Sequence, residues 1–279
     1  MKWDLYNMNI GFIGTGNLAN AMIKGILHSK AVDADKIYAF DVDPAKLSLA
    51  ARAHGINQAA SAQEIAENCG VVLIVIKPAD FPNLLKQLDE TFQAKDPLII
   101  STAAGNSLGY ISSFLTYTPA LVRIMPNINA TIGEAMSAYC TNGRPTDEQV
   151  KLVEKICAAF GEVIALDEKY FPMFGVIAGA APAFAYMFID ELARAGVKIG
   201  MNKKLSLQIA AQTVLGSAKY ILESGEHPYE LIDRVCSPGG TTIEGIAALQ
   251  EFGFSNAITK AVDRALEKDT KLASLKKNN

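Results

Sequence analysis

Short apolar runs alternate with helical periods through the first half of the chain. Asn9 to Ile13, Ile37 to Phe40, Val71 to Ile76 and Leu98 to Ser101 are nearly continuous aliphatic stretches. Runs of that kind suit strands buried on both faces of a parallel sheet. Between them the apolar positions recur with a helical period around Ala19–Leu27, Ala45–Ala53, Ala62–Asn68 and Asn83–Leu88. Strand and helix in alternation, joined by right-handed crossovers, predict a doubly wound sheet covered on both faces. Leu121–Met125, Met136–Cys140 and Val163–Ala165 extend it, with a helix starting near Thr146 between the last two. Past about Asp167 the strand pattern stops, and helical periods run through 172–195, 203–223 and 255–275. The pattern therefore predicts an α/β domain over 1–167 and an all-α domain over 168–279.

One segment of the second half is unusually apolar. Tyr170 to Ile189 carries no charge and matches the roughly 20 residues that span a bilayer. It also holds Pro172, Gly175, Gly179 and Pro182, is rich in alanine, and is flanked by Glu168, Asp190 and Glu191. Those features favour a helix buried on all sides, within a domain or between subunits, over a membrane span.

Composition narrows the class without changing the architecture. A length of 279 residues suits two domains, and half apolar with a fifth charged is an ordinary globular balance. A net charge of −3 gives no electrostatic case for a nucleic-acid partner; Lys268 to Lys276 reads as a solvated, fraying helix end. Cys69, Cys140, Cys157 and Cys236 form no CxxC pair and lie near no histidine at ligand spacing. Neither a metal site nor a disulfide framework is expected, and the thiols read as reduced. The first ten residues, MKWDLYNMNI, lack the apolar stretch of a signal peptide, so a cytoplasmic location is expected.

Candidate chemistry begins at the first strand–helix junction. Ile13-Gly14-Thr15-Gly16-Asn17-Leu18-Ala19 ends the first strand, turns, and opens the first helix. Glycines at 14 and 16 permit a tight turn and close approach of a pyrophosphate, and Ala19 takes the small position where helix packs on strand. The helix N-terminus offers free N–H groups and a positive dipole end to phosphate. A Rossmann-type dinucleotide domain is the reading. Asp41, at the end of the second strand, lies 25 positions beyond Gly16. It is either an acceptor for the adenosine ribose, which favours NADH over NADPH, or a turn aspartate ahead of Pro44. Three later strand ends add Lys77-Pro78, Ala104-Gly105 and Asn127 to the same expected lip, a surface suited to a flat nicotinamide.

In the helical half, Ser237-Pro238-Gly239-Gly240-Thr241-Thr242-Ile243-Glu244 puts two glycines before two threonines at a helix start. That arrangement frees backbone N–H groups for an anion. Thr241 and Glu244 equally fit the S/T-x-x-E capping box of an ordinary helix. None of His28, His54 or His227 sits in a catalytic motif, and each reads as a surface residue.

Taken in order, GFIGTGNLANAMIKG, IVIKP, STAAG, RIMPN, GAAPA and SPGGTTI resemble the successive signatures of pyrroline-5-carboxylate reductase, over roughly residues 8 to 270. The resemblance implies NADH- or NADPH-dependent reduction of the cyclic imine 1-pyrroline-5-carboxylate to L-proline. It implies a dimer built through the helical domain, possible assembly into a ring of dimers, and a subunit interface as the use of 170–189. It implies that Ser237, Gly239, Gly240 and Thr241 hold the substrate carboxylate, while the hydroxyl of Thr242 meets the ring nitrogen as the catalytic residue. Where the family usually shows SGSGPA this chain has Ala178-Gly179-Ala180-Ala181-Pro182-Ala183. Two other readings remain. A 3-hydroxyacid dehydrogenase needs a lysine on the helix 171–195, which has none. A non-catalytic dinucleotide-binding paralogue would lack turnover on any cyclic imine.

Overall fold

A computed structural model describes residues 8–277, with side chains described through 271. The expectation drawn from the first ten residues therefore rests mostly on residues outside the described ones, as do the side chains at the end of the Lys-rich stretch. The chain divides into two compact units: one through Gly179 that also takes in the stretch from Asp269, the other Ala180–Lys268.

The first unit contains an eight-stranded sheet in the order β3-β2-β1-β4-β5-β6-β7-β8. Its strands are β1 Ile10–Ile13, β2 Ile37–Phe40, β3 Asn57–Gln58, β4 Val71–Ile74, β5 Leu98–Ser101, β6 Ala120–Met125, β7 Ala135–Thr141 and β8 Gly161–Ala165. The helices around them are α1 Asn17–His28, α2 Pro44–His54, α3 Ala62–Asn68, α4 Phe81–Lys95, α5 Leu108–Ser112, α6 Asp147–Ala158 and the short α7 Phe171–Phe174. Every residue of β1, β4 and β5 is buried, as continuous apolar runs require. Successive side chains alternate between two apolar layers: Phe12 packs with Met22, Ile26 and Phe160, while Ile13 packs with Ile65, Leu85 and Phe92. All pairings are parallel except β6 with β7. A parallel crossover needs a dozen or more residues. The link between Met125 and Ala135 is shorter than that and holds only a 3-10 turn, so β7 folds back antiparallel.

Local chemistry sets the helix ends. The Asp43 carboxylate accepts the N–H groups of Ala45 and Lys46 ahead of Pro44, which starts α2. Thr146 and Gln149 form a reciprocal capping box at α6. The buried Arg123 pairs with Glu168 at 3.0 Å and lies 4.5 Å from the Phe171 ring centroid. Glu168 also accepts the Leu108 N–H at 2.7 Å, which ties the start of the apolar segment to the sheet.

The second unit holds α8 Ala181–Lys198, α9 Lys203–Ser224, α10 Pro228–Val235, α11 Thr241–Glu251 and most of α12 Phe254–Lys277. Helices α8 and α9 approach closely. Ser206 Oγ donates to Ala193 O at 2.8 Å, and a Cβ on Gly196 would stand 2.0 Å from Ser206 Oγ. Beyond that contact the unit has almost no interior. Among its described residues only Ala193, Ser206 and Ala210 are buried, while Ile199, Leu222 and Phe252 are each more than 80% exposed. Three small residues cannot offset the entropy of ordering such a helical unit. Its apolar surface calls for a partner.

The expectation that 170–189 is buried on all sides does not hold within one chain. Met173, Ile177, Tyr186, Met187 and Phe188 are exposed, and the stretch Glu168–Lys198 is long and apolar enough to cross a membrane. The segment is not one smooth helix: Gly175–Ala180 is a π-helical turn between α7 and α8.

Candidate functional site

The order β3-β2-β1-β4 makes the carboxyl end of β1 the point where the sheet changes direction, the place where open α/β sheets bind ligands. The glycine turn sits there. Gly14 donates its N–H to Phe40 O at 2.8 Å, and Val75 donates to Ile13 O at 2.8 Å, so the turn is pinned from both sides. Gly14 has φ +102°, and a Cβ there would stand 2.3 Å from Val75 O. Gly16 is different: it is the N-cap of α1 at φ −68°, with nothing within 4 Å of an added Cβ. The space in front of Gly16 is open, at a helix start where no side chain supplies a cap. Such a start carries N–H groups without intrahelical partners, and it fits the diphosphate of a dinucleotide. Ala19 is fully buried, as its packing role requires.

Asp41 reaches into this turn. Its Oδ2 accepts the Thr15 N–H at 2.7 Å and the Thr15 hydroxyl at 3.0 Å, and its Oδ1 accepts the Asp43 N–H at 2.9 Å. These bonds are those of the turn-aspartate reading. It closes the turn ahead of Pro44, and it presents a fixed carboxylate beside the glycine loop.

The other strand ends meet along the same edge. The Thr102 N–H and hydroxyl both reach Ile74 O, at 3.3 Å each, aligning the 102–105 loop with the end of β4. Asn106, which sequence reasoning missed, is buried and donates to Pro78 O at 3.2 Å, holding the Lys77-Pro78 turn against that loop. Lys77, Ala104 and Gly105 are exposed, and Pro78 is half-buried.

Asn127 is placed differently from the others. Its Oδ1 accepts the Asn129 N–H at 3.2 Å, and its Nδ2 donates to Ala178 O at 2.9 Å in the π-helical turn. Four residues beyond Ala178 stands Pro182, which has no N–H to offer that carbonyl. Each polar atom of Asn127 therefore has a protein partner that holds the side chain in place. Asn127→Ala is expected to cost about 1–3 kcal/mol, the penalty of a buried carbonyl left unsatisfied. Thermal unfolding checks this: Tm should fall by several degrees. A loss of dinucleotide affinity with no change in Tm would instead make the side chain a ligand contact.

In the second unit, Ser237-Pro238-Gly239-Gly240 is a tight turn closed by Gly240 N–H to Ser237 O at 3.0 Å. Proline second and a glycine at φ +67° third is the pattern of a type II turn. The capping-box reading is corrected here. The N-cap of α11 is Gly240, not Thr241, and no side chain caps it. Thr241 and Thr242 are the first two residues of the helix, and Glu244 is exposed one turn in. The reason is register: the turn ends at Gly240, so the helix begins one residue earlier than a Thr241 cap would require. Thr242 is half-buried, while Ser237, Gly239 and Thr241 are exposed.

Burial also acts on three of the thiols. Burial, helped at Cys69 by the nearby Glu64 charge, pushes the thiols of Cys69, Cys140 and Cys157 up to about 12, where the reactive thiolate is scarce. Among the described residues no group of three His, Cys, Asp or Glu could hold a metal ion. His28 and His227 are exposed, but His54 is not the bare surface residue expected: its Nε2 lies 3.0 Å from Asn20 Oδ1.

Comparison with known proteins finds a family match in each half of the chain. The family described as pyrroline-5-carboxylate reductase dimerisation matches residues 168–272. The family described as NADP oxidoreductase, coenzyme F420-dependent, matches residues 9–105. The pyrroline-5-carboxylate reductase of Escherichia coli is 38% identical over 265 residues, 95% of this chain and 98% of that protein. That of Aquifex aeolicus is 36% identical over 268 residues, 96% and 98% of the two chains. Among solved structures, a pyrroline-5-carboxylate reductase from Coxiella burnetii aligns with a TM-score of 0.89 at 27% identity, covering 95% and 98%. A pyrroline carboxylate reductase from Plasmodium falciparum with NADP bound aligns at 0.85 and 27%, covering 96% and 99%.

Proposed function

The chain belongs to the pyrroline-5-carboxylate reductase family, an oxidoreductase family that uses a nicotinamide dinucleotide, and we propose from this premise how its own residues serve the reaction. The reaction is reduction of 1-pyrroline-5-carboxylate to L-proline, the last step of proline synthesis. We assign residues 1–167 to the dinucleotide and 168–279 to substrate binding and dimerisation. The single observation that carries the cofactor half is the open space before Gly16, at an uncapped helix start beside a glycine turn that admits no side chain.

In this reading Ile13 through Leu18 cradle the diphosphate with backbone N–H groups and the α1 dipole. Lys77, Pro78, Ala104, Gly105 and the backbone of Asn127 form the lip for the nicotinamide. When bound, the reduced cofactor supplies the hydride. The turn Ser237–Gly240 and the uncapped start of α11 hold the substrate carboxylate, with N–H groups that no side chain claims. The Thr242 hydroxyl orients the ring nitrogen. A protonated imine is already electrophilic, so the protein's task is orientation, which can supply roughly 7–11 kcal/mol of a barrier. That accounts for a site with no histidine, metal or activated thiol assigned to it.

The chain self-associates through its helical half. We infer a dimer that covers the exposed apolar faces of α8, α9 and α12, and a ring of such dimers as its larger assembly. The apolar stretch then serves a subunit contact in the cytosol rather than a membrane.

Asp41 sets the cofactor preference in this proposal, because a carboxylate fixed beside the turn repels a 2′-phosphate. Steady-state oxidation of NADH and of NADPH with pyrroline-5-carboxylate tests both claims. Turnover is expected with both and is faster with NADH. Asp41→Asn keeps an acceptor for Thr15 but removes the charge, and should raise the NADPH-to-NADH ratio of kcat/KM by about tenfold, or some 1.4 kcal/mol. Dinucleotide binding without turnover would overturn the catalytic assignment.

A further inference from the structure

Asn20 lies one turn into α1, outside the glycine fingerprint, yet its side chain is committed to the turn. Its Nδ2 donates to Thr15 O at 2.6 Å and to Gly16 O at 3.0 Å. Two carbonyls can be served only by the amide NH2, so the orientation of the side chain is fixed and Oδ1 faces the other way. Oδ1 meets His54 Nε2 at 3.0 Å. An amide oxygen only accepts, so Nε2 must carry the proton. His54 is the last residue of α2, 34 positions away in sequence. Burial, and secondarily Lys24, hold its pKa below the ordinary value, which favours the neutral ring with a single N–H.

The consequence follows from peptide geometry. In a trans peptide the C=O of one residue and the N–H of the next point in opposite directions. Fixing Thr15 O and Gly16 O toward Asn20 therefore fixes the N–H groups of Gly16 and Asn17 away from it. Those are two of the donors at the start of α1. A diphosphate bound there meets N–H groups that are already aimed, and pre-orientation lowers the cost of binding.

We propose that Asn20 and His54 are positioning residues for the dinucleotide: Asn20 aims the Gly16 and Asn17 N–H groups, and His54 holds Asn20 in place. The proposal rests on the reading of this turn as the dinucleotide cradle. Because neither residue is placed at the adenosine ribose, NADH and NADPH should be affected alike, unlike the Asp41 effect.

The test is the dissociation constant of NADH and NADPH, measured by fluorescence titration alongside Tm for each variant. Asn20→Ala is expected to raise both constants about tenfold, and His54→Ala about three- to fivefold, the scale of single hydrogen bonds. His54→Gln, whose amide can still donate to Asn20, is expected to return both constants to within about twofold of the parent. Saturating cofactor should restore most of kcat. Unchanged constants in folded His54→Ala, or a loss in His54→Gln equal to that in His54→Ala, would overturn the proposal. So would a drop in Tm with affinity intact, which marks a merely structural pair. If Asn20→Ala does not fold, the two His54 variants decide. Failure of the parent protein to bind either dinucleotide would overturn the cradle reading itself, and the pair with it.

Discussion

Gly14→Ala is expected to weaken NADH binding at least a hundredfold and to lower Tm, whereas Gly16→Ala should weaken binding by tenfold or more with Tm nearly unchanged. The two glycines are absent a side chain for different reasons. At Gly14 the backbone itself forbids one: φ is +102°, and the new Cβ would stand 2.3 Å from Val75 O. That carbonyl belongs to a segment whose neighbouring N–H is bonded to Ile13 O, and the Gly14 N–H is bonded to Phe40 O. Neither strand end can retreat without breaking one of these bonds, so the turn must deform. A positive φ adds about 1–2 kcal/mol for a residue with a Cβ. At Gly16 the protein has room and an ordinary φ, so alanine costs the folded chain only about 0.5–1 kcal/mol as a poorer N-cap, a small shift in Tm for a chain of this size. Any loss of binding there must come from the ligand. Isothermal titration with NADH, paired with thermal unfolding, separates the cases. Parental affinity in Gly16→Ala would mean that no phosphate approaches this backbone, and the cradle would have to lie elsewhere.

Much of this architecture was legible because buried parallel strands leave a coarse mark. Ile37–Phe40 and Leu98–Ser101 are found with the bounds their apolar runs suggest. The elements that left no mark are those not built on apolar periodicity. Strand β3 is only Asn57 and Gln58, two polar residues held by backbone pairing to Tyr38 and Ala39. Helix α5 is five residues long and owes its start to the Ser107 cap. The antiparallel turn at β6 and β7 depends on a linker length, not on either strand's composition. In the site, residue types at the sheet's edge could be read locally, whereas the bonds that organise them could not. Asp41 to Thr15, His54 to Asn20 and Asn127 to Ala178 span 26, 34 and 51 positions. A one-residue shift of register was enough to turn Thr241 from a cap into the first helical residue. The near-absence of a core in the second unit was invisible as well, since the apolar period that predicts its helices does not say which chain covers them.

Thr242→Ala is expected to reduce kcat/KM for pyrroline-5-carboxylate by about ten- to a hundredfold, with NADH affinity unchanged. The expectation starts from what the hydroxyl is not doing. Gly240 is the N-cap of α11 and no side chain caps the helix, so Thr242 is not consumed as a cap. It is half-buried at the second position of the helix, next to a turn that ends in a glycine at φ +67° and a glycine whose added Cβ would stand 2.3 Å from Ser237 Oγ. The loop thereby exposes backbone rather than side chains, with one hydroxyl standing beside it, and on the proposed function that backbone meets the substrate carboxylate. A hydrogen bond to a charged group contributes about 1.5–3 kcal/mol, which converts to the stated range. If the hydroxyl meets the ring nitrogen as the hydride arrives, the loss appears in kcat as well as in KM. Thr242→Ser keeps the hydroxyl and should stay within about threefold of the parent, while Thr242→Val keeps the shape and should fall with alanine. Equal losses in the serine and valine variants would assign the effect to packing of α11. Unchanged kinetics in folded Thr242→Ala would remove Thr242 from the reaction and leave the backbone of Gly239 to Thr242 as the whole of the site's grip on the substrate.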